Sequence, residues 1–238
     1  MMTHRSMILG LALPVAAMLL LMPVAGQAAD LGPRGPIYKG VPAPTYMAFD
    51  WSGFYIGING GYGFGKSHHN FDAVGTTTGD YKVTGALAGG TVGYNWQMGS
   101  YVFGGEADFD WSNIKGSAPC PNPAFTCGTE NKWLGTARGR LGYAFNRWLP
   151  YFTGGAAFGS VKATISPSAG FPGATSTRIG WVVGGGLEYA AWNYWSVKLE
   201  YNYVDLGSFN CGAGCTGTGV DNVSFNTHIV RAGINYRF

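Results

Sequence analysis

Side chains in the last stretch of the chain, Phe225 to Phe238, alternate in character. Val230, Ala232, Ile234, Tyr236 and Phe238 take turns with Arg231, Gly233, Asn235 and Arg237. A strand sends successive side chains to opposite faces, so this segment has one apolar face and one face with two arginines. The same two-faced pattern recurs about seven more times upstream. It predicts strands over Gly53–Phe64, Thr84–Trp96, Tyr101–Trp111, Lys132–Phe145, Tyr151–Val161, Arg178–Tyr189 and Trp195–Leu206. The third is the sharpest: Tyr101, Phe103, Gly105, Ala107, Phe109 and Trp111 alternate with Val102, Gly104, Glu106, Asp108 and Asp110. The Gly-rich fifth strand has no clear facing.

The connectors alternate in length. Gln97–Ser100, Asn146–Pro150 and Ala190–Tyr194 are short, whereas Lys66–Lys82, Asn113–Asn131, Lys162–Thr177 and Gly207–Ser224 are long and rich in polar residues and glycine. Short turns at one end and long loops at the other are the asymmetry of outer-membrane barrels. Residues 51–238 give eight strands about 23 residues each with a connector, and sixteen strands only about 12, barely the 9–11 of one tilted span. The pattern therefore predicts an all-β fold, an eight-stranded antiparallel up-and-down transmembrane β-barrel, with apolar residues facing lipid.

Aromatic positions sharpen this picture. Trp51, Phe54, Tyr94, Trp96, Tyr101, Phe145, Trp148, Tyr151, Tyr189, Trp192, Trp195, Tyr236 and Phe238 gather at the short-turn ends. Phe64, Trp111, Trp133, Trp181 and Tyr203 lie nearer the long loops. Two such belts are expected of a membrane barrel. Charges within strands fall almost wholly on the other face, away from lipid, where a Lys or Arg would cost roughly 2–4 kcal/mol.

The N-terminus reads as a leader. Residues 1–28 have a short polar start with Arg5, an apolar run from Met7 to Met22, and small residues at Gly26 and Ala28, the pattern of a secretory signal peptide. Residues 29–50, with Pro33, Pro36, Pro42 and Pro44, read as a periplasmic linker pushed toward extended conformations. The barrel then occupies 51–238. Composition agrees: 11% of residues are charged against roughly 25% in soluble domains, and 40 glycines are costly in helices but suit crowded, bending strands. Removing a leader that holds Arg5 lowers the formal net charge from +3 to +2. There is no basic stripe for nucleic acid, and no cofactor is expected.

Six segments, in order, carry a family resemblance: WSGFYIGINGGYGFG from Trp51, GGEADFDWS at 104–112, LGTARGRLGYAF at 134–145, LPYFTGGAAFG at 149–159, SVKLEYNYVDLG at 196–207 and HIVRAGINYRF at the end. Together they resemble the outer-membrane β-barrel family of small alphaproteobacterial surface proteins, the outer-membrane immunogenic or porin-family proteins. The resemblance implies an eight-stranded barrel in the cell outer membrane, exposed at the surface. It carries over no catalytic residue and does not cover the loops, where the haem binding or adhesion described for some relatives would reside. Outer-membrane lipid and lipopolysaccharide, the barrel-assembly machinery and a host or surface ligand are the expected partners. Tyr236 and the terminal Phe238 are the expected assembly signal.

The inward charges form the main constellation. Glu106, Asp108 and Asp110 neighbour Arg138 and Arg140. Arg231 and Arg237 can face Glu200 and Lys198, with Glu188 in reach. An eight-stranded barrel is just wide enough for side chains to fill, so paired ions that plug the lumen are favoured over an ion-conducting path. A glycosidase-like carboxylate pair is disfavoured by the adjacent arginines. Cys120 with Cys127 and Cys211 with Cys215 are the favoured disulfides, each closing a small loop in an oxidising compartment, ahead of a four-thiolate zinc site. His68 and His69 read as a solvated loop pair rather than haem ligands. His228 lies on the lipid face near the outer interface. Ser224, four residues away, is too far along the strand for the His–Ser chemistry of a lipid-modifying enzyme, so a structural surface protein leads, a low-conductance porin follows, and an enzyme comes last.

Overall fold

A computed structural model describes residues 49–71, 75–167, 173–211 and 221–238. The expected leader, 1–28, and most of the expected linker, 29–48, lie outside the described residues. Among the described residues nine strands form one antiparallel sheet: β1 (Gly53–Phe71), β2 (Thr76–Thr77), β3 (Tyr81–Met98), β4 (Tyr101–Pro119), β5 (Thr126–Tyr143), β6 (Trp148–Ser166), β7 (Ala174–Ala190), β8 (Trp195–Asn210) and β9 (Asp221–Arg237). Each long strand pairs with the next, and β1 pairs with β9, which closes the barrel. β2 is a two-residue stub folded back on the end of β1, so eight strands make the wall.

The register fixes the shape. Ile56 pairs with Val92, and the row continues through Ala107, Ala137, Ala156, Trp181, Asp205 and Asn226 to Lys66. One circuit thus climbs ten residues along β1, which tilts the strands by roughly 40°. Outward apolar runs such as Phe54–Phe64 and Tyr101–Trp111 then span roughly 25 Å along the barrel axis, the height of a lipid-facing band.

The strands are longer than their apolar runs. β1 continues to Phe71, β4 to Pro119 and β6 to Ser166, through segments that the sequence pattern assigns to loops. The physical reason is an inversion of facing. Within the band, apolar side chains point out and polar ones in. Above it, Lys66, Lys82, Lys115 and Lys132 point outward, while Tyr81, Val83, Ile114, Val161, Ala163, Val223 and Phe225 are buried inside. The upper barrel is built like a soluble one, with an oily core and a wet surface, and its alternation is the reverse of the pattern below it.

Two bulges shift the phase. Between Asn131 and Trp133 the inward set of β5 passes from Cys127, Thr129 and Asn131 to Leu134, Thr136 and Arg138. The Asn131 side-chain amide donates to the carbonyls of Trp133 and Ser160, both at 3.1 Å, satisfying groups that the bulge takes out of the ladder. In β8 the bulge between Asp205 and Ser208 contains Gly207 at φ 66°, a left-handed conformation that glycine adopts without strain.

The structure settles the facing of the fifth predicted strand, now β6. Tyr151, Thr153, Ala157 and Val161 point inward, and Phe152 points out with 79% of its surface exposed. Two aromatics assigned to the lower belt belong elsewhere. Tyr151 is in the lumen. Trp51 is buried at the short-turn end, where its backbone N–H donates to Gln97 Oε1 at 2.7 Å and its Nε1 to the carbonyl of Asn146 at 3.3 Å. Both have a polar handle that finds a partner inside, which outweighs leaving the ring in lipid.

Candidate functional site in the barrel lumen

Alternation on β4, β5, β7, β8 and β9 delivers nine charged side chains to the lower lumen: Glu106, Asp108, Asp110, Arg138, Arg140, Glu188, Lys198, Glu200 and Arg231, all buried. Two arginines organise them. Arg138 Nη2 donates to Glu106 Oε1 and, at 2.8 Å, to Asp108 Oδ2; its Nη1 reaches across the lumen to Glu200 Oε1 at 2.9 Å and Asn202 Oδ1 at 3.0 Å. Arg231 donates through Nη1 to Asp108 Oδ1 at 2.8 Å and Asp110 Oδ2 at 2.9 Å, and through Nε to Glu200 Oε1 at 2.8 Å. Adjacent strands supply some of these partners, but β5 and β9 also reach strands with which they do not pair.

A second tier lies nearer the short turns. Arg140 Nη2 donates to Glu188 Oε2 at 2.7 Å, and its guanidinium stacks over the Tyr151 ring at 3.9 Å. Glu188 also accepts from Ser196 and, at 2.9 Å, from Asn235 Nδ2. Lys198 Nζ donates to Glu106 Oε2 at 2.9 Å, as does the Tyr55 hydroxyl at 2.8 Å. Tyr151 donates to Glu200 Oε2 at 2.7 Å. Tyr55 stands where it does because Gly93 faces it: a Cβ on Gly93 would lie 2.3 Å from the Tyr55 hydroxyl oxygen. Alternation alone signals Tyr55, Asn202 and Asn235 as inward. Thr136 and Ser196 are inward by the same alternation, whereas Tyr151, on the strand without a clear facing, is legible only once that facing is known.

Arg237 stands apart from the network expected of it. It is inward by parity, but it sits at the rim, where it donates to the carbonyls of Asp50 and, at 3.1 Å, Asn193, and stacks 4.2 Å over Phe49. The strand ends there, so its long side chain reaches the turn rather than the lumen.

Both ends of the charged layer are closed. Above it a continuous apolar cluster includes Leu87, Ile114, Leu134, Val182, Val204, Leu206 and Ile229. Below it Trp51, Val102, Leu149 and Ala190 pack together, with Phe49 and Ala144 against them. The crevice beside Trp51 and Tyr55 has room for about 10 Å³, roughly one water.

The remaining candidates fall outside the lumen's ion network. Cys120 and Cys127 are joined as a disulfide, 5.2 Å apart at Cα, so their thiolates are not free to hold zinc. Cys211 is disulfide-bonded; Cys215 lies outside the described residues. The histidine pair is not a solvated loop pair, because β1 extends through it and sends the two rings to opposite faces. His69 is fully buried, 3.3 Å from Thr129 Oγ1, whereas His68 is outside, with Ser224 Oγ at 2.9 Å from Nδ1. One haem cannot take both as axial ligands. His228 faces outward against Phe64, Tyr201 and Tyr203, with its Nδ1 2.6 Å from the Tyr201 hydroxyl. Tyr236 and Phe238 lie on the lipid side at the short-turn end, edge to face at 5.3 Å.

An apolar exterior band between aromatic belts, a closed up-and-down wall and ions gathered within define a transmembrane barrel of the bacterial outer membrane, with a packed lumen. The chain belongs to the outer membrane protein beta-barrel domain family, whose profile matches residues 16–238. It is 39% identical to the 31 kDa outer-membrane immunogenic protein of Brucella melitensis, over 94% of this chain and 97% of that one. It is 34% identical to the 22 kDa outer membrane protein of Rhizobium leguminosarum bv. viciae, over 82% of each. Among solved structures, the outer membrane protease OmpT from Escherichia coli superposes with a TM-score of 0.51 at 11% identity, covering 78% of this chain and 97% of that one. At that identity the likeness concerns the fold alone. The family places the protein in the outer membrane.

Proposed function

We propose that this protein is a structural, non-conducting surface barrel. It contributes to envelope integrity and presents its long-loop end to partners outside the cell, with no reaction of its own. The observation that supports this reading is the filled lumen: nine acidic and basic side chains pair with one another between two apolar closures. A through-path for solutes would have to break both closures and leave buried charges unpaired, each at a cost of several kcal/mol. The lipid-face histidine, His228, is engaged by a tyrosine hydroxyl, and Ser224 meets His68 instead, so the His228–Ser224 pair of a lipid-modifying enzyme does not form. The terminal Phe238, outward and exposed at the short-turn end, suits recognition by the barrel-assembly machinery. Planar-bilayer recording of the purified, folded chain tests the reading. A packed lumen gives no conductance or rare small steps; a steady, ohmic open state in most insertions would replace it with a porin.

A further inference from the structure

Five lysines stand outside the wall on consecutive strands: Lys66 on β1, Lys82 on β3, Lys115 on β4, Lys132 on β5 and Lys162 on β6. Once the strand tilt is allowed for, they lie within about three residues of one level, roughly 7 Å above the row of Phe64, Trp111 and Trp133. At that level β7, β8 and β9 place no cation outside among the described residues, so the charge is an arc and not a ring.

The arc is under-neutralised. Lys66 and Lys82 sit directly opposite each other on paired strands, an arrangement of like charges that destabilises a sheet. Lys66 has one partner, Asp80 Oδ2 at 3.2 Å. Glu130 lies in register between Lys115 and Lys162, yet among the described residues neither lysine makes an ion pair, nor do Lys82 and Lys132. Five ammonium groups just above an interfacial aromatic row, four of them without an ion pair among the described residues, call for anions supplied at that depth. Aromatic belts mark the headgroup level, and lysine is a point-charge binder of phosphate.

We propose that this arc is a binding site for the phosphate groups of an outer-leaflet glycolipid, held with its acyl chains along the aromatic wall below. The site rests on the envelope-integrity half of the proposed function, and it supplies a mechanism for it: one protein gathers several phosphates that would otherwise repel one another. A soluble polyanion is the less suitable occupant, because the lysines lie low on the wall, flush with the membrane surface.

The full chain, folded in detergent, is titrated with a diphosphorylated glycolipid of the lipid A type and with the same lipid stripped of phosphate, following the fluorescence of Trp111 and Trp133 beside the arc. The phosphorylated form binds at least tenfold tighter, and added salt weakens it. Replacing all five lysines by glutamine abolishes that preference; replacing all five by arginine keeps it. Equal binding of the two lipids by the parent protein overturns the proposal, a result that needs no variant to fold. So does an undiminished preference in the glutamine variant. Tighter binding of a sulfated polysaccharide through the same lysines reassigns the arc to a soluble partner and overturns the lipid. None of these outcomes depends on conductance, so an open lumen would defeat the sealed-barrel reading and leave this one standing.

Discussion

Replacing Arg138 by methionine tests whether the lumen ions hold the wall together. Arg138 is fully buried, and it donates to Glu106, Asp108, Glu200 and Asn202. Methionine fills most of its volume and supplies no donor. Glu106, Asp108 and Glu200 lose a common cation, and the lumen goes from five acids facing four bases to five facing three. Removing one partner of a buried ion pair costs about 3–5 kcal/mol. Lys198 and Arg231 remain beside these carboxylates and offset some of the loss, which places the effect near the lower figure. For a barrel of this size that is a fall of roughly 10 °C in the unfolding midpoint, read as the temperature at which the compact band converts to the unfolded one on a detergent gel. Adding Asp108→Asn to the variant removes one of the stranded charges, so the double change destabilises by less than the two singles summed, by about 1 kcal/mol or more. A midpoint within 2 °C of the parent for Arg138→Met would refute the argument, because the wall would then owe nothing to the ions inside it.

Two further outcomes follow from the same geometry. Phe152→Arg puts a cation on the lipid face near the middle of the band and costs roughly 2–4 kcal/mol in folding into lipid vesicles; unchanged folding efficiency would mean that β6 faces the other way. Gly93→Val drives a side chain into Tyr55, separating its hydroxyl from Glu106; it lowers thermal stability by about 1–3 kcal/mol, and a variant as stable as the parent would show that the contact is dispensable.

The lower barrel is legible in the chain because two signals reinforce each other there. Apolar residues mark one parity and charges the other, so strand, facing and candidate network can be read together, as with Glu106, Asp108 and Arg138. Higher up the signal fails for a physical reason. Lys66, Lys82 and Lys115 point outward above the apolar band, and the interior positions between them include small or polar residues, so that a strand of inverted polarity looks like a Gly- and Thr-rich loop. The bulges at Asn131 and Gly207 add a parity shift that no period-two pattern carries. β6 is ambiguous because Gly154, Gly155, Ala156 and Ala157 give both faces the same character. Residue type and parity alone do not place Trp51, Tyr151 and Arg237, which lie at or near strand ends. A tyrosine with a carboxylate in reach goes inside, and an arginine at the last rung reaches the rim.

The ions contribute more to register than to net stability. A buried ion pair is often no more stabilising than a well-packed apolar substitute, so the charges alone do not explain why this lumen is ionic rather than oily. The wall's own symmetry does. Paired strands in a uniformly apolar barrel slip at little expense, and a slip of one residue turns every side chain to the opposite face. In β5 that slip would carry both Arg138 and Arg140 from carboxylates into hydrocarbon, at about 2–4 kcal/mol for each beyond the loss of their partners. Arg231 would impose the same penalty on β9, and Lys198 on β8. Because Arg138 also reaches β8 and Arg231 reaches β4, the correct register of one strand depends on that of strands across the lumen, and alignment propagates around the circle rather than along one seam. Above the band, where water replaces lipid outside, slippage would expose Ile114 and Val161 instead, and the apolar core enforces the same register by the ordinary hydrophobic effect. The reversal of facing at the upper aromatic row is where one means of holding register gives way to the other.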